Sequence, residues 1–234
     1  MKNNLKKIIK KLILNKTFAR LLINPVLKIH SLSYVLADLF SITLEGGTHP
    51  KHRIIKYEEW FLEQIDAGWV ILDIGSNTGI MSWLLAEKAG FIYGIEIEDE
   101  LFKEAESKRK KSNIKYICAD ARKFNFNRCK AIDCIVLSNV LEHINDRVHF
   151  LKKLTSDINW RNRNRKRLLF RVPMINRDWI VLYKKERGLN FYSDKTHLTE
   201  YTFEEFEKEL LQADIKILNY VIKFGEIYAV ADAK

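Results

Sequence analysis

The sequence predicts an α/β protein: a doubly wound, mostly parallel seven-stranded sheet with helices on both faces and an N-terminal helical extension. Three observations predict it. From Trp69 onward, short apolar runs alternate with stretches of helical period, joined by short connections. One run, residues 132–137, is apolar almost throughout, as a strand covered on both faces must be. Four successive runs each deliver a polar or acidic residue just past their C-terminal end.

A chain of 234 residues can bury one substantial core. The expected organisation is therefore a basic helical extension over residues 1–45 and one sheet domain over 46–234. The composition, 47% hydrophobic and 30% charged, is that of a soluble globular protein. In the extension, Leu5, Ile8, Ile9, Leu12 and Ile13 share one helical face, with Lys6, Lys7, Lys10 and Lys11 opposite. Two coverings for that stripe stay open: the body of the protein, or an anionic membrane touched peripherally by residues 1–15. Pro25 is expected to end or bend this region. Lys16, Arg20, Asn24 and Lys28 interrupt it, so no membrane span of about 18 residues is expected. A secretory signal is not expected either, because no compact apolar segment precedes a small-residue cleavage site.

The net charge of +10 is concentrated. Residues 1–37 carry eight basic side chains and no acid, and residues 161–167 carry five more, leaving the rest of the chain at about −3. Cys118, Cys129 and Cys134 show no CxxC spacing and no paired histidines, so neither a metal site nor a disulfide framework is expected. A reducing cytoplasm fits them, with Cys118 and Cys134 as small apolar fillers of predicted strands.

Along the domain, residues 70–74, 91–95, 114–118, 132–137 and 168–172 read as strands. Residues 79–88, 99–111 and 146–158 read as the helices between them. Residues 202–213 read as a helix opened by a capping box, Thr202 with Glu205 three positions on. Strands over 215–221 and 227–231 close the chain.

The chemistry is expected at the strand ends, since ligands of open α/β sheets sit outside the carboxyl edge. In Val70-Ile-Leu-Asp-Ile-Gly-Ser-Asn-Thr-Gly79, Gly75 and Gly79 let the backbone approach a ligand, and Asp73 can accept hydrogen bonds from an ammonium. A methionine moiety, with its ammonium and carboxylate, suits such a turn. A nicotinamide fingerprint has glycine where this turn has Asn77. Glu96 lies about 20 residues beyond the glycines, where a carboxylate can take ribose hydroxyls. Glu98 reads as a surface charge. Asp120 follows the third strand, placed for an adenine amino group, and Ser138-Asn139-Val-Leu-Glu-His143 leaves the fourth.

Taken in order, Asp-Ile-Gly-Ser-Asn-Thr-Gly79, Gly94-Ile-Glu-Ile, Ala119-Asp-Ala121 and Ser138-Asn-Val-Leu-Glu-His-Ile144 resemble the motifs of class I S-adenosyl-L-methionine (SAM)-dependent methyltransferases. The likeness runs from about His49 to the C-terminus. It implies a Rossmann-like fold with SAM as cofactor. It also implies Asp73, Gly75, Ser76, Asn77 and Gly79 at the methionine end, and Glu96 with Ile97 at the ribose. Asp120 with Ala121 would meet the adenine, and Asn139 the sulfonium neighbourhood. Ser76-Asn77 departs mildly from the usual turn. Upstream, Gly46-Gly-Thr-His-Pro-Lys-His-Arg53 resembles small methyltransferases of surface-polysaccharide clusters. It makes His49 and Arg53 candidates for the cofactor carboxylate or the acceptor, the alternative being a surface loop.

Methyl transfer is mainly positioning, but a hydroxyl acceptor gains from a base, and histidine titrates in the right range. His143 and His197 are the catalytic candidates, each with the alternative of bonding a loop backbone. Trp179, Tyr183, Phe191 and Tyr192 are expected either in a lid over the acceptor or in a small core of their own. The expected acceptor is a small hydroxylated molecule, a sugar of a surface glycan or its lipid-linked precursor. The expected location is the cytoplasm, possible contact being with the inner membrane face. A nucleic-acid substrate fits less well: strand four does not end in an Asn/Asp-Pro-Pro-aromatic motif, and no aromatics interleave with residues 161–167. A non-catalytic SAM binder is the third reading.

Overall fold

The computed structural model describes residues 14–234. The amphipathic helix expected over residues 5–13 lies outside the described residues. By their contacts the residues form two compact units: Met1–Ile55 with Ile180–Phe191, and Lys56–Trp179 with Tyr192–Lys234.

The larger unit holds one seven-stranded sheet. Its strands are β1 (Val70–Ile74), β2 (Phe91–Glu96), β3 (Ile114–Cys118), β4 (Cys134–Ser138), β5 (Lys166–Pro173), β6 (Ile215–Lys223) and β7 (Glu226–Ala233). They lie in the order β3-β2-β1-β4-β5-β7-β6. The first five are parallel, and β7 runs antiparallel to both β5 and β6. This is the expected mostly parallel, Rossmann-like sheet. The order reverses between β1 and β4, so the carboxyl ends of these two neighbours open a crevice there.

The central strands are apolar almost throughout, with Asp73 the one ionisable residue in β1 and Ser138 the polar end of β4. Val70–Ile74 is buried throughout, and Cys134 to Leu137 likewise. Leu72, Ile135, Leu137, Leu168, Phe170 and Ala229 anchor a core that helices extend with Leu151, Leu154, Phe206 and Leu210. The edge strand β6 instead alternates, exposing Leu218, Tyr220 and Ile222.

Strand four starts later than expected. Ile132 makes an isolated bridge to Trp160, and the ladder with β1 begins at Ile71 opposite Cys134. Cys134 is fully buried, a filler as expected, whereas Cys118 is exposed. The capping box is present: the Thr202 hydroxyl accepts from Glu205 N at 3.2 Å, and Glu205 Oε2 accepts from Thr202 N at 2.9 Å.

The smaller unit contains α1 (Lys16–Leu44), a helix of 29 residues capped by Asn15, whose side chain accepts from Thr17 N and Phe18 N. Pro25 stands inside this helix and does not end it. The expectation that charges preclude a membrane-length apolar stretch is corrected here. By length and composition α1 is long and apolar enough to cross a membrane, with a mean hydropathy of 1.2 in its best window. The breaks fall mainly in its first half, and from Leu27 to Leu44 the charged residues are Lys28 and Asp38 alone. The unit also holds α2 (Lys51–Ile55) and all but the first residue of α7 (Trp179–Glu186). Helix α7 carries Lys184, whose Nζ donates to Ser31 Oγ at 2.9 Å.

The remaining helices are α3 (Tyr57–Gln64), α4 (Ile80–Leu85), α5 (Asp99–Lys108), α6 (Arg147–Asp157) and α8 (Phe203–Gln212).

Candidate functional site

A cleft of about 570 Å³ opens along the carboxyl ends of β1, β2, β3 and β4. Its lining includes Gly75, Asn77, Glu96, Ile97, Asp120, Ala121, Asn139 and His143. Eight residues singled out from the sequence thus converge on one surface, of a size that ligand sites ordinarily have.

The glycine turn makes the floor. Gly75 has φ +70°, and a Cβ there would lie 2.6 Å from Val140 Cγ2, so only glycine keeps the two strand exits this close. Asn77 also has positive φ and caps its own turn, accepting from Thr78 N at 2.7 Å. Gly79 is walled by the Tyr116 hydroxyl and serves the turn rather than the cleft lining. The following helix, α4, is shorter at both ends than the sequence suggests.

Asp73 does not line the cleft. It is buried at the end of β1 and accepts a hydrogen bond from Ser82 Oγ at 2.5 Å. Burial pushes its pKa up to about 7; the Ser82 bond opposes the rise, and the Glu96 charge adds to it. Ser76 is also buried behind the turn, its hydroxyl without a hydrogen-bond partner.

Glu96 holds the next wall together. Its Oε2 accepts from Asn77 N at 2.7 Å, and its Oε1 from Ile97 N at 2.8 Å and Glu98 N at 2.9 Å. One carboxylate therefore ties the β1 turn to the β2 exit. Oε2, with a single donor, keeps acceptor capacity for a ligand. Ile97 presents an exposed apolar side chain beside it. Asp120 is gripped by Arg122, Nε and Nη2 each donating at 2.8 Å, and this pairing holds its carboxyl below the usual carboxylate range.

At β4, Asn139 has φ +55°, and its Nδ2 donates to Glu226 Oε1 at 3.3 Å. Glu226 is fixed in turn by Arg171, a buried guanidinium lying 3.7 Å over the Tyr57 ring. The amide is thereby oriented with its Oδ1 buried and without a hydrogen-bond partner.

His143 closes that end of the cleft with Asp194 and Thr196. Its ring meets that of His197 edge-on, centroids 4.8 Å apart. His197 is buried, does not line the cleft, and pairs through Nδ1 with Glu200 Oε1 at 3.0 Å. Burial and the neighbouring His197 hold the His143 pKa below its ordinary value. Glu142 is fully buried, and burial pushes its pKa up to about 8.

His49 and Arg53 belong to the other compact unit. There His49 Nε2 lies 2.6 Å from Asp38 Oδ1, and Arg53 pairs with Glu45. Trp179 starts α7, and Tyr183 and Phe191 lie in the smaller unit with that helix, while Tyr192 lies in the larger. The sequence reading missed Asp194 and Thr196, which have no motif, and gave Glu142 no role although it lies inside a quoted one.

The site fits a ligand of the SAM class on its own features. The glycine cradle would be filled by a single Cβ, Asn139 Oδ1 is an orphaned buried acceptor, and Glu96 and Asp120 edge the cleft with carboxylates.

Residues 72–156 match the family described as methyltransferase domain. No curated protein matches the sequence. Among solved structures, the chain is similar to a chain of the complex between the Haloferax volcanii Trm112 methyltransferase activator and a methyltransferase. That match has a TM-score of 0.63 and 12% identity, covering 79% of this chain and 92% of that one. Magnesium protoporphyrin IX methyltransferase from Synechocystis PCC 6803, with bound SAH, matches with a TM-score of 0.58 and 16% identity, over 79% and 83% of the two chains. A SAM-dependent methyltransferase from Listeria monocytogenes matches with a TM-score of 0.58 and 17% identity, over 76% and 99%. At these identities the likeness is one of fold.

Proposed function

We propose that the chain is a class I SAM-dependent methyltransferase, with SAM as its methyl donor, and that it methylates a hydroxyl of a small acceptor; the match of residues 72–156 to a methyltransferase domain supports the first part. The acceptor class we favour is a sugar of a surface glycan or its lipid-linked precursor. The observation that carries the hydroxyl reading is the hydrogen-bonded group of His143, Thr196 and Asp194, which lines the same cleft as Asn139. A hydroxyl there meets acceptors for its proton.

Gly75 and Asn139 would hold the methionine end of the cofactor, Glu96 and Ile97 the ribose, Asp120 and Ala121 the adenine. Asp73, behind the turn, would act on the ammonium as a buried negative charge. When bound, SAM supplies an electrophilic methyl on a sulfonium. The chain's own task would be to hold the acceptor oxygen in line with that methyl and to take the hydroxyl proton toward the His143 end. The sugar reading is supported by the resemblance of residues 46–53, and the lipid-linked form by the apolar length of α1.

A nucleic-acid acceptor is less favoured. In the 161–167 run, Arg161 pairs with Asp133 and Arg167 with Asp232, and Arg165 lies 3.5 Å from Asp66. That run leads into the amino end of β5, the edge away from the cleft.

The test is transfer of labelled methyl from SAM to fractionated cell extract, followed by the same assay on His143→Ala and His197→Ala. One or the other change is expected to slow turnover roughly 10²-fold or more with SAM affinity nearly intact. Unchanged turnover in both variants would remove these histidines from proton transfer.

A further inference from the structure

The acceptor end of the cleft contains an unsolved electrostatic problem. Glu142 is fully buried on the turn after β4, and neither of its carboxylate oxygens has a hydrogen-bond partner. Protonation does not solve it, because a neutral carboxyl still has an O–H to place. Its Oε1 lies 3.9 Å from His197 Nε2, beyond hydrogen-bond range.

The two histidines present matching lone pairs. His197 Nδ1 pairs with Glu200 Oε1 at 3.0 Å, so the proton belongs on Nδ1 and Nε2 is left as a lone pair. At His143 the partner of Nδ1 is Thr196. The Thr196 hydroxyl donates to Asp194 Oδ1 at 2.6 Å, so toward His143 Nδ1, at 3.0 Å, it acts as acceptor. His143 therefore also carries its proton on Nδ1 and a lone pair on Nε2, an assignment made from partners. Potential ligand atoms of Glu142, His143 and His197 lie within 4.8 Å of one another. A carboxylate or hydroxyl behind each imidazole is the arrangement that orients metal-binding histidines elsewhere.

We propose that Glu142, His143 and His197 hold a divalent transition-metal cation of the zinc class at the acceptor end of the cleft. Two imidazoles and one carboxylate suit such a metal better than magnesium or calcium, which prefer oxygen-rich sets. Three protein ligands leave a position open. Of the three ligands His143 lines the cleft, so the cation would sit beside the space assigned to the acceptor. An acceptor hydroxyl bound there loses its proton more readily, through the cation's charge. This role rests on the methyl-transfer reading above; the binding of the cation does not. Sequence spacing gave no hint of the site, because the third ligand comes from a distant segment.

The test uses the full chain, stripped with a chelator and titrated with Zn²⁺ by calorimetry and with Co²⁺ by visible absorption. The expected result is about one equivalent per chain, with a visible Co²⁺ spectrum from mixed nitrogen and oxygen ligands. His143→Ala and Glu142→Gln should abolish the spectrum, and Glu200→Gln should weaken binding roughly 10–100-fold. His143 is on the surface, so its variant should fold, and retained SAM affinity checks that it has. Absence of binding in the wild type, or equal binding in His143→Ala, overturns the site. The readout needs no acceptor, so an error in the acceptor class leaves the outcome unaffected.

Discussion

Asp73 couples the site to pH. Sealed behind the glycine turn, its carboxyl has a pKa of about 7 against an ordinary value of 3.8. The folded chain thus keeps a proton that the unfolded chain sheds between about pH 4 and 7. This group's contribution to stability is fully present below the unfolded value and is lost as pH rises through about 7. A ligand ammonium nearby reverses the preference, favouring the ionised form and driving the proton off on binding. SAM affinity is therefore expected to rise up to about tenfold per pH unit from pH 5 to 7 and to level above it. Calorimetry across that range should show the slope in the wild type and none in Asp73→Asn; an equal slope in both assigns the proton elsewhere. Asp73, Gly75 and Glu96 were legible in the sequence because strand-end turns are local events. Glu142 was not, because its significance lies in what fails to surround it, and that depends on a segment some fifty residues on.

At the scale of elements, the strands read most clearly where an apolar run is bounded by turn residues. Val70–Ile74 and Ile114–Cys118 have the expected bounds. Strand four was read two residues early because Ile132 is as apolar as a ladder residue, yet it bridges Trp160 instead of β1. Helices α2, α3 and α7 were not foreseen, and α1 was foreseen as part of the helical extension but not as one continuous helix. For α1 the reason is Pro25, which removes one amide hydrogen bond and so reads as a stop, while the apolar sequence after it sustains the helix. Helix α8 was read nearly to its ends because its capping box is written in the sequence. Thr202→Ala should cost about 1 kcal/mol of stability in urea unfolding and leave SAM affinity unchanged. α8 seats Phe206 and Leu210 in the core and supplies no cleft residue, so an affinity loss would contradict that separation.

The whole molecule distributes charge in a way the fold does not require. Basic residues crowd the first 37 positions, and the exposed side chains of α1 include Leu21, Val26, Ile29, Leu32 and Phe40. If this region meets a lipid surface, each lysine near it adds about 1 kcal/mol of attraction to anionic lipid, screened by salt. Weak, salt-sensitive sedimentation with anionic vesicles is expected, and deletion of residues 1–15 should abolish it. Equal sedimentation with neutral vesicles would assign the contact to apolar surface alone, and no sedimentation would leave a soluble sugar as the better acceptor.

Central to the proposed function is one cleft that would hold SAM between the ends of β1 and β2. Titration calorimetry of SAM and S-adenosylhomocysteine tests this directly, on the wild type and on the Asp73→Ala, Glu96→Ala double variant. Micromolar binding by the wild type and none by the double variant is the predicted result, provided the variant keeps a cooperative unfolding transition. Unchanged affinity in a folded double variant would contradict the placement of the cofactor.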